Sequence, residues 1–247
     1  MNLVISEIIE NIKIITLNRP EKSNALSSEM LIQLYNALND VEESVKVVVI
    51  KGKGRNFCAG HDLNELLNDP INVKKHFDLC EKVMHKIREL KQPVIAEVRG
   101  YAVAGGCQLV AACDMAIASE NAKFGLPGIK LGLFCFTPVV FVSRCIGIKR
   151  TFELAFTGNE IDARTAFEWG LVNRVVPDDE LERETIELAK MIAKYDLDVL
   201  GEGKKFFYSQ IEMETFDALS YGVNTIALFT SHRVAQEGIR KFLEKKK

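Results

Sequence analysis

Short apolar runs alternate with helical stripes through the first two thirds of the chain. Residues 12–17, Ile-Lys-Ile-Ile-Thr-Leu, read as a strand. Ser27 or Ser28 supplies an N-cap ahead of Met30, Leu31, Leu34, Leu38 and Val41, whose three- and four-residue spacing predicts one apolar helix face. The β-branched run over residues 45–50 predicts a buried strand. Phe77, Cys80, Val83, Met84, Ile87 and Leu90 form a second helical stripe that stops before Pro93. Residues 94–98 predict another strand, a short apolar helix follows, and residues 114–119 suggest a third core strand. Strands separated by helices point to an α/β layer.

From about residue 149 the pattern changes. Apolar positions recur at helical spacing through residues 180–194, 204–211 and 214–231, with no comparable β-branched run after Val175-Val176. The expectation is an α/β core over residues 1–190 and a C-terminal helical region over 191–247. A thin amphipathic tail packs on its own core or on a neighbouring subunit. The basic end, Arg240-Lys241 and Lys245-Lys246-Lys247, reads as a solvated helix terminus, with anion binding as the alternative.

Composition narrows the function classes. At 247 residues, 47% hydrophobic and 27% charged, the chain is globular rather than disordered. A net charge of −2 with no basic stripe argues against a nucleic-acid partner. No apolar run reaches the roughly 18 residues of a membrane span. Met1 to Glu7 carries no basic region followed by an apolar block, so the expected location is cytoplasmic, or the mitochondrial matrix for a processed eukaryotic chain. The six cysteines show no CxxC pair and mostly sit in apolar segments, which fits free thiols in a reducing compartment. They form no recognisable ligand set with His61, His76, His85 and His232, so no metal is expected.

Two segments carry candidate chemistry. Phe57-Cys58-Ala59-Gly60-His61-Asp62-Leu63 follows the strand at 45–50, and Gly100-Tyr101-Ala102-Val103-Ala104-Gly105-Gly106-Cys107-Gln108 follows the strand at 94–98. Each reads as strand, small-residue turn, helix start. Backbone N–H groups at such a turn have no intrahelical partner and can point at a ligand oxygen. Two such turns side by side would make an oxyanion hole. Taken alone, each is an ordinary strand-to-helix turn. There is no GxGxxG, P-loop or GxSxG motif.

Taken together, the segments resemble the crotonase superfamily, the enoyl-CoA hydratase/isomerase family. The resemblance runs from Leu17-Asn18-Arg19-Pro20-Glu21-Lys22-Ser23-Asn24-Ala25-Leu26 through the two turns and Asp114 to Ala122-Lys123-Phe124-Gly125-Leu126-Pro127 and Leu131-Gly132. It continues in Thr157-Gly158, residues 163–166, Gly170-Leu171-Val172 and Val175-Val176-Pro177. It implies an α/β spiral of ββα units with a C-terminal helical region used in trimerisation, as a homotrimer or dimer of trimers. It also implies a CoA thioester substrate, with CoA entering as part of that substrate and no further cofactor. The oxyanion donors it implies are the backbone N–H groups of His61 and Gly105, which would stabilise a thioester enolate. The implied substrate-binding set is Lys22, at the nucleotide end of CoA, with Ala25, Ala59, His61, Asp62, Leu63, Asn64, Gly105 and Phe134.

The chain departs from the family pattern where hydratases carry two glutamates. Gln108 stands at the first glutamate position and Gly128 at the second. Each general acid–base group contributes on the order of 10²–10⁴ in rate, so efficient hydration by the usual route is not expected. This combination resembles a divergent subgroup, the enoyl-CoA hydratase domain-containing proteins. The nominal activity is enoyl-CoA hydratase-like; the alternatives are an acyl-CoA decarboxylase, thioesterase or isomerase, or a non-catalytic acyl-CoA binder. His61 within Ala-Gly-His-Asp also resembles decarboxylating members. An RNA-binding or scaffold relative is the remaining class.

Other side chains have bland readings beside the chemical ones. Asp62 reads as a helix cap, Asp114 as structural and Cys135 as a pocket-lining thiol without an activating base. Gln108 can position a substrate group or a water but cannot ionise. Glu97, in an otherwise apolar strand, and Glu120 are the nearby acids. Phe134, Phe136, Val139 and Val140 line either an acyl pocket or the core.

Overall fold

The β-branched runs assemble into a six-stranded sheet, and three-residue strands make a second, smaller one. The computed structural model describes residues 2–244, so Lys245-Lys246-Lys247 of the basic end lies outside the described residues. In chain order the elements are β1 (Val4–Ile9), β2 (Ile12–Leu17), α1 (Ser28–Asn39), β3 (Val47–Gly52), α2 (Pro70–Glu89), β4 (Val94–Val98), β5 (Tyr101–Val103), α3 (Gly105–Ala112), β6 (Met115–Ser119) and β7 (Lys123–Gly125). They continue as α4 (Phe136–Ile146), α5 (Ile148–Thr157), β8 (Glu160–Asp162), α6 (Ala163–Trp169), β9 (Arg174–Val176), α7 (Leu181–Ala193), α8 (Leu197–Gln210), α9 (Thr215–Phe229) and α10 (Arg233–Glu244).

The large sheet has the order β1-β2-β3-β4-β6-β9. Only β1 pairs antiparallel with its neighbour; the rest of the ladder is parallel. A parallel strand is covered on both faces, which is why β3 reads as an unbroken apolar run from Val47 to Ile50 and why even Lys13 of β2 is buried. Ile15, Leu17, Val48 and Ile50 point into the main core shared with α1, α2 and α3. Ile12, Ile14, Val47, Val49 and Ile95 point the other way, against Ile186, Ala189 and Ile192 of α7. The small sheet, β5-β7-β8, stands apart and carries the second glycine turn at its start.

The strand expected at 45–50 begins at Val47 and runs to Gly52. β1 left no periodic signal, because only Val4 of its six residues is buried. Ser27 is the N-cap of α1 and accepts from the Met30 N–H at 3.2 Å. The helix expected at 204–211 starts earlier, at Leu197, capped by Asp196.

Asp114 ties α8 to the sheet. Its carboxylate accepts from the Val94 N–H and the Tyr208 hydroxyl and pairs with Lys204, each at 2.7 Å. Beyond this anchor α9 and α10 bury no residue, and α9 exposes Phe216, Leu219, Val223, Ile226 and Leu228. Among the described residues no helix is long and apolar enough to cross a membrane.

Candidate active site

The two glycine turns meet. Cys58 donates its N–H to Tyr101 O at 2.9 Å and accepts from the Val103 N–H at 3.1 Å. A β-carbon at Gly60 would lie 2.9 Å from the Ala104 methyl and 3.3 Å from the Gly105 nitrogen, and one at Gly106 would lie 2.1 Å from Cys58 O. Only glycine lets the two backbones come this close. Gly60 has φ +95°, and Ala104 adopts φ +49°, a left-handed value unusual for a residue with a side chain.

This packing sets the direction of two N–H groups. Leu26 N donates to Gly60 O at 2.8 Å and Asp62 N donates to Leu26 O at 2.9 Å. Those are the two groups flanking His61 on one edge, so the His61 N–H faces the opposite side. Gly105 is the first residue of α3, where an N–H has no intrahelical acceptor. Both residues line one cavity of about 350 Å³. Its other walls are apolar: Leu63, Leu66, Leu133, Phe134, Phe136 and Pro127. Two converging donors in such a cavity suit an oxygen that gains negative charge during reaction.

The His61 ring is held from behind. Its Nδ1 lies 2.8 Å from His76 Nε2, and His76 Nδ1 lies 3.0 Å from Ser28 Oγ. Ser28 Oγ donates to Glu65 Oε2 at 3.0 Å, while Ser28 N donates to Glu65 Oε1 at 3.1 Å. Because the hydroxyl proton goes to Glu65, Ser28 accepts from His76 Nδ1–H. His76 Nε2 therefore accepts from His61 Nδ1–H, and His61 Nε2 is left with a lone pair. That nitrogen is buried without a partner. It lies 3.0 Å from where a β-carbon of Gly105 would sit. Burial first, and His76 second, push the His61 pKa down to about 4, so the ring is neutral near neutral pH. Phe77 packs edge-on against both rings. The network fixes the His61 ring against α1 and α2. The sequence alone places none of His76, Ser28 and Glu65 at the site: Ser28 reads there only as a possible helix cap and His76 only as a histidine without a ligand set. A histidine directly beside Phe77 of the apolar helical stripe was the available signal.

The two glutamate positions are not equivalent. A β-carbon at Gly128 would lie 2.9 Å from Cys135 Sγ, so the thiol occupies the space that a side chain at 128 would enter. Gln108 is 3% exposed and has an unpartnered, buried Oε1. It lines an adjoining cavity of about 660 Å³ rather than the one at the turns; Phe77 and Thr137 line both.

The remaining expected residues separate into groups. Ala59, His61, Leu63, Gly105, Gly128 and Phe134 come together around the cavity. Asp62 caps the turn Leu63–Leu67 by accepting from Asn64 N at 3.1 Å, and pairs with Arg19 at 2.7 Å. Arg19 is a cause of its lowered pKa, with the Asn64 hydrogen bonds, against a desolvation contribution of opposite sign. Asn64, Ala25 and the exposed Lys22 are not in the cavity wall. Glu97 is buried on β4, its pKa raised first by desolvation; its neighbours are Lys51, Glu182 and Thr185, on the α7 side of the sheet. Burial also raises the Cys135 thiol, which fits an inert group. Among the described residues no cluster of three or more His, Cys, Asp or Glu could hold a metal ion.

The family model for enoyl-CoA hydratase/isomerase matches residues 7–247. The chain belongs to the enoyl-CoA hydratase/isomerase family. It is 40% identical over 243 residues to mitochondrial enoyl-CoA hydratase domain-containing protein 3 of Homo sapiens, covering 97% of this chain and 80% of that protein. It is 32% identical to the short-chain-enoyl-CoA hydratase of Clostridium acetobutylicum, covering 100% of this chain and 97% of that protein. The crystal structure of the human domain-containing protein 3 superposes with a TM-score of 0.96 at 38% identity, covering 99% and 98% of the two chains. An enoyl-CoA hydratase structure from Mycobacterium smegmatis gives 0.95 at 42% identity, with 98% and 96% covered. The fold is the crotonase-type α/β fold of that enoyl-CoA hydratase/isomerase family.

Proposed function

We propose that this chain processes acyl-CoA thioesters, using the His61 and Gly105 backbone N–H groups to hold the oxygen of a thioester enolate. The observation that carries the reading is the approach of the two turns, with the Gly60 β-carbon position 3.3 Å from the Gly105 nitrogen and both donors on one apolar cavity. The coarse activity is that of a hydratase-type lyase, in keeping with the relatives' names. Addition of water through a carboxylate pair is not part of the reading, because Cys135 fills the space at Gly128 and Gln108 is an amide. The reading includes assembly as a homotrimer or dimer of trimers, supported by the uncovered apolar side chains of α9.

The test follows loss of the conjugated enoyl-thioester absorbance of crotonyl-CoA. With both carboxylates missing, the expected rate is about 10⁴-fold or more below that of a hydratase carrying both glutamates, and Gly60→Ala lowers it by roughly a further 10²–10³. Turnover as fast as such a hydratase would overturn the missing-carboxylate argument. Failure to bind any acyl-CoA would overturn the reading itself.

A further inference from the structure

The cavity beyond Phe77 differs in kind from the one at the turns. Its walls include Asp78, Glu81, Arg88, Arg144 and Glu212 beside Gln108. All but one of those charges already face a partner. Asp78 pairs with Lys74 at 2.7 Å, Glu81 faces His85 at 3.6 Å, and Arg144 pairs with Glu212 at 3.2 Å. Arg88 has no carboxylate within 4 Å among the described residues. Its Nη2 donates to Ala111 O at 3.0 Å, and its Nε is buried without a partner. The guanidinium carbon lies 3.9 Å from the Tyr208 ring centroid and 5.4 Å from that of Phe141, so the group packs against two rings. Asp114, which accepts from Tyr208, is already paired with Lys204.

A half-buried, pre-oriented guanidinium with spare donors on a cavity wall is a receptor for an anion. A neighbouring amide adds a donor of the right kind. Gln108 stands three residues before Ala111 on α3, and both Gln108 and Arg88 line this cavity. Of the buried polar side-chain atoms without partners among the described residues, Arg88 Nε is a donor on a residue lining this cavity, while Gln108 Oε1 and His61 Nε2 are acceptors, so it is the Arg88 guanidinium and the Gln108 amide N–H, not those acceptors, that suit a carboxylate. Such atoms concentrate where a ligand or water completes the bonding.

We infer that the cavity beyond Phe77 receives the far end of the acyl group, and that this end carries a carboxylate bound by Arg88 with help from Gln108. The inference rests on the acyl-CoA reading above, since it takes the thioester carbonyl to sit at His61 and Gly105. From Gly105 to Ala111 the rise along α3 is about 9 Å, which an extended acyl chain of roughly six to eight carbons spans. The ligand class is therefore a dicarboxylic acyl-CoA of that length.

Calorimetric titration of the full chain tests it with three ligands of equal length: octanoyl-CoA, suberoyl-CoA and the ω-amide of suberoyl-CoA. A charged hydrogen bond of this kind is worth roughly 1.5–3 kcal/mol, so suberoyl-CoA is expected to bind about 10- to 100-fold more tightly than octanoyl-CoA or the amide. In Arg88→Met that ratio falls to about one. Equal or weaker binding of suberoyl-CoA by the unaltered protein overturns the inference, and this arm needs no variant to fold. A preference that survives Arg88→Met also overturns it. If octanoyl-CoA binds without a preference for suberoyl-CoA, only the inference fails. If none of the thioesters binds, the acyl-CoA reading fails with it.

Discussion

The two adjoining cavities are built from different materials. The one at the turns offers backbone N–H groups framed by Gly60, Gly105 and apolar walls; the one beyond Phe77 offers side chains, Arg88, Gln108 and paired charges. A backbone donor survives almost any side-chain change at its own position, so the first cavity can carry histidine at 61 and keep its hole. A side-chain receptor is set by one residue and changes with it. On the proposed function, holding the oxyanion and choosing the acyl group fall to separate structures, joined at Phe77 and Thr137.

The largest expected effect breaks the wall of the second cavity. Lys204→Met leaves Asp114 without its buried cation and loosens α8, which carries Tyr208. Breaking one side of such a pair destabilises by about 3–5 kcal/mol, read as a lower denaturant midpoint with an unchanged slope. Next is Gly60→Ala, whose methyl group meets Ala104 at 2.9 Å and whose φ of +95° suits glycine alone. Displacing one oxyanion donor lowers thioester turnover by roughly 10²–10³ while leaving the Arg88 cavity intact. A Gly60→Ala protein with full turnover would break the comparison.

A pH experiment sharpens it. The folded pKa of His61 is about 4 against an ordinary 6.5. Between those values the unfolded chain binds more protons than the folded one, so stability falls as pH drops from 6.5 toward about 4, and the contribution is fully present above 6.5. His61→Leu should flatten that part of the stability–pH curve in urea melts. The smallest effect belongs to Cys135→Ser. The thiol's pKa is raised by burial, so turnover should change by less than about twofold in a steady-state assay.

Most of the sheet was legible because β2, β3 and β4 are buried on both faces and are mainly apolar, with Lys13 and Glu97 as buried exceptions. β1 was not, because a hairpin edge with one buried residue has no periodicity to detect. The strands of the small sheet are three residues long, below the reach of any pattern. At the site, Gly60 and Gly105 were visible through their small-residue turns. The Glu65–Ser28–His76–His61 chain was not, because it joins α1, a loop and α2, and only the fold brings them together. Arg88 was hidden for the same reason: the rings it packs against are Phe141 and Tyr208, 53 and 120 positions later.

The central claim is that the two turns stabilise negative charge on a thioester-derived oxygen. The most direct measurement is titration of protein-bound acetoacetyl-CoA by its enolate absorbance, which requires no catalytic base. Bound ligand is expected to ionise at a pH roughly 2 below that of free ligand, and Gly60→Ala to remove the difference. Binding of the keto form with an unchanged ionisation pH would contradict the account.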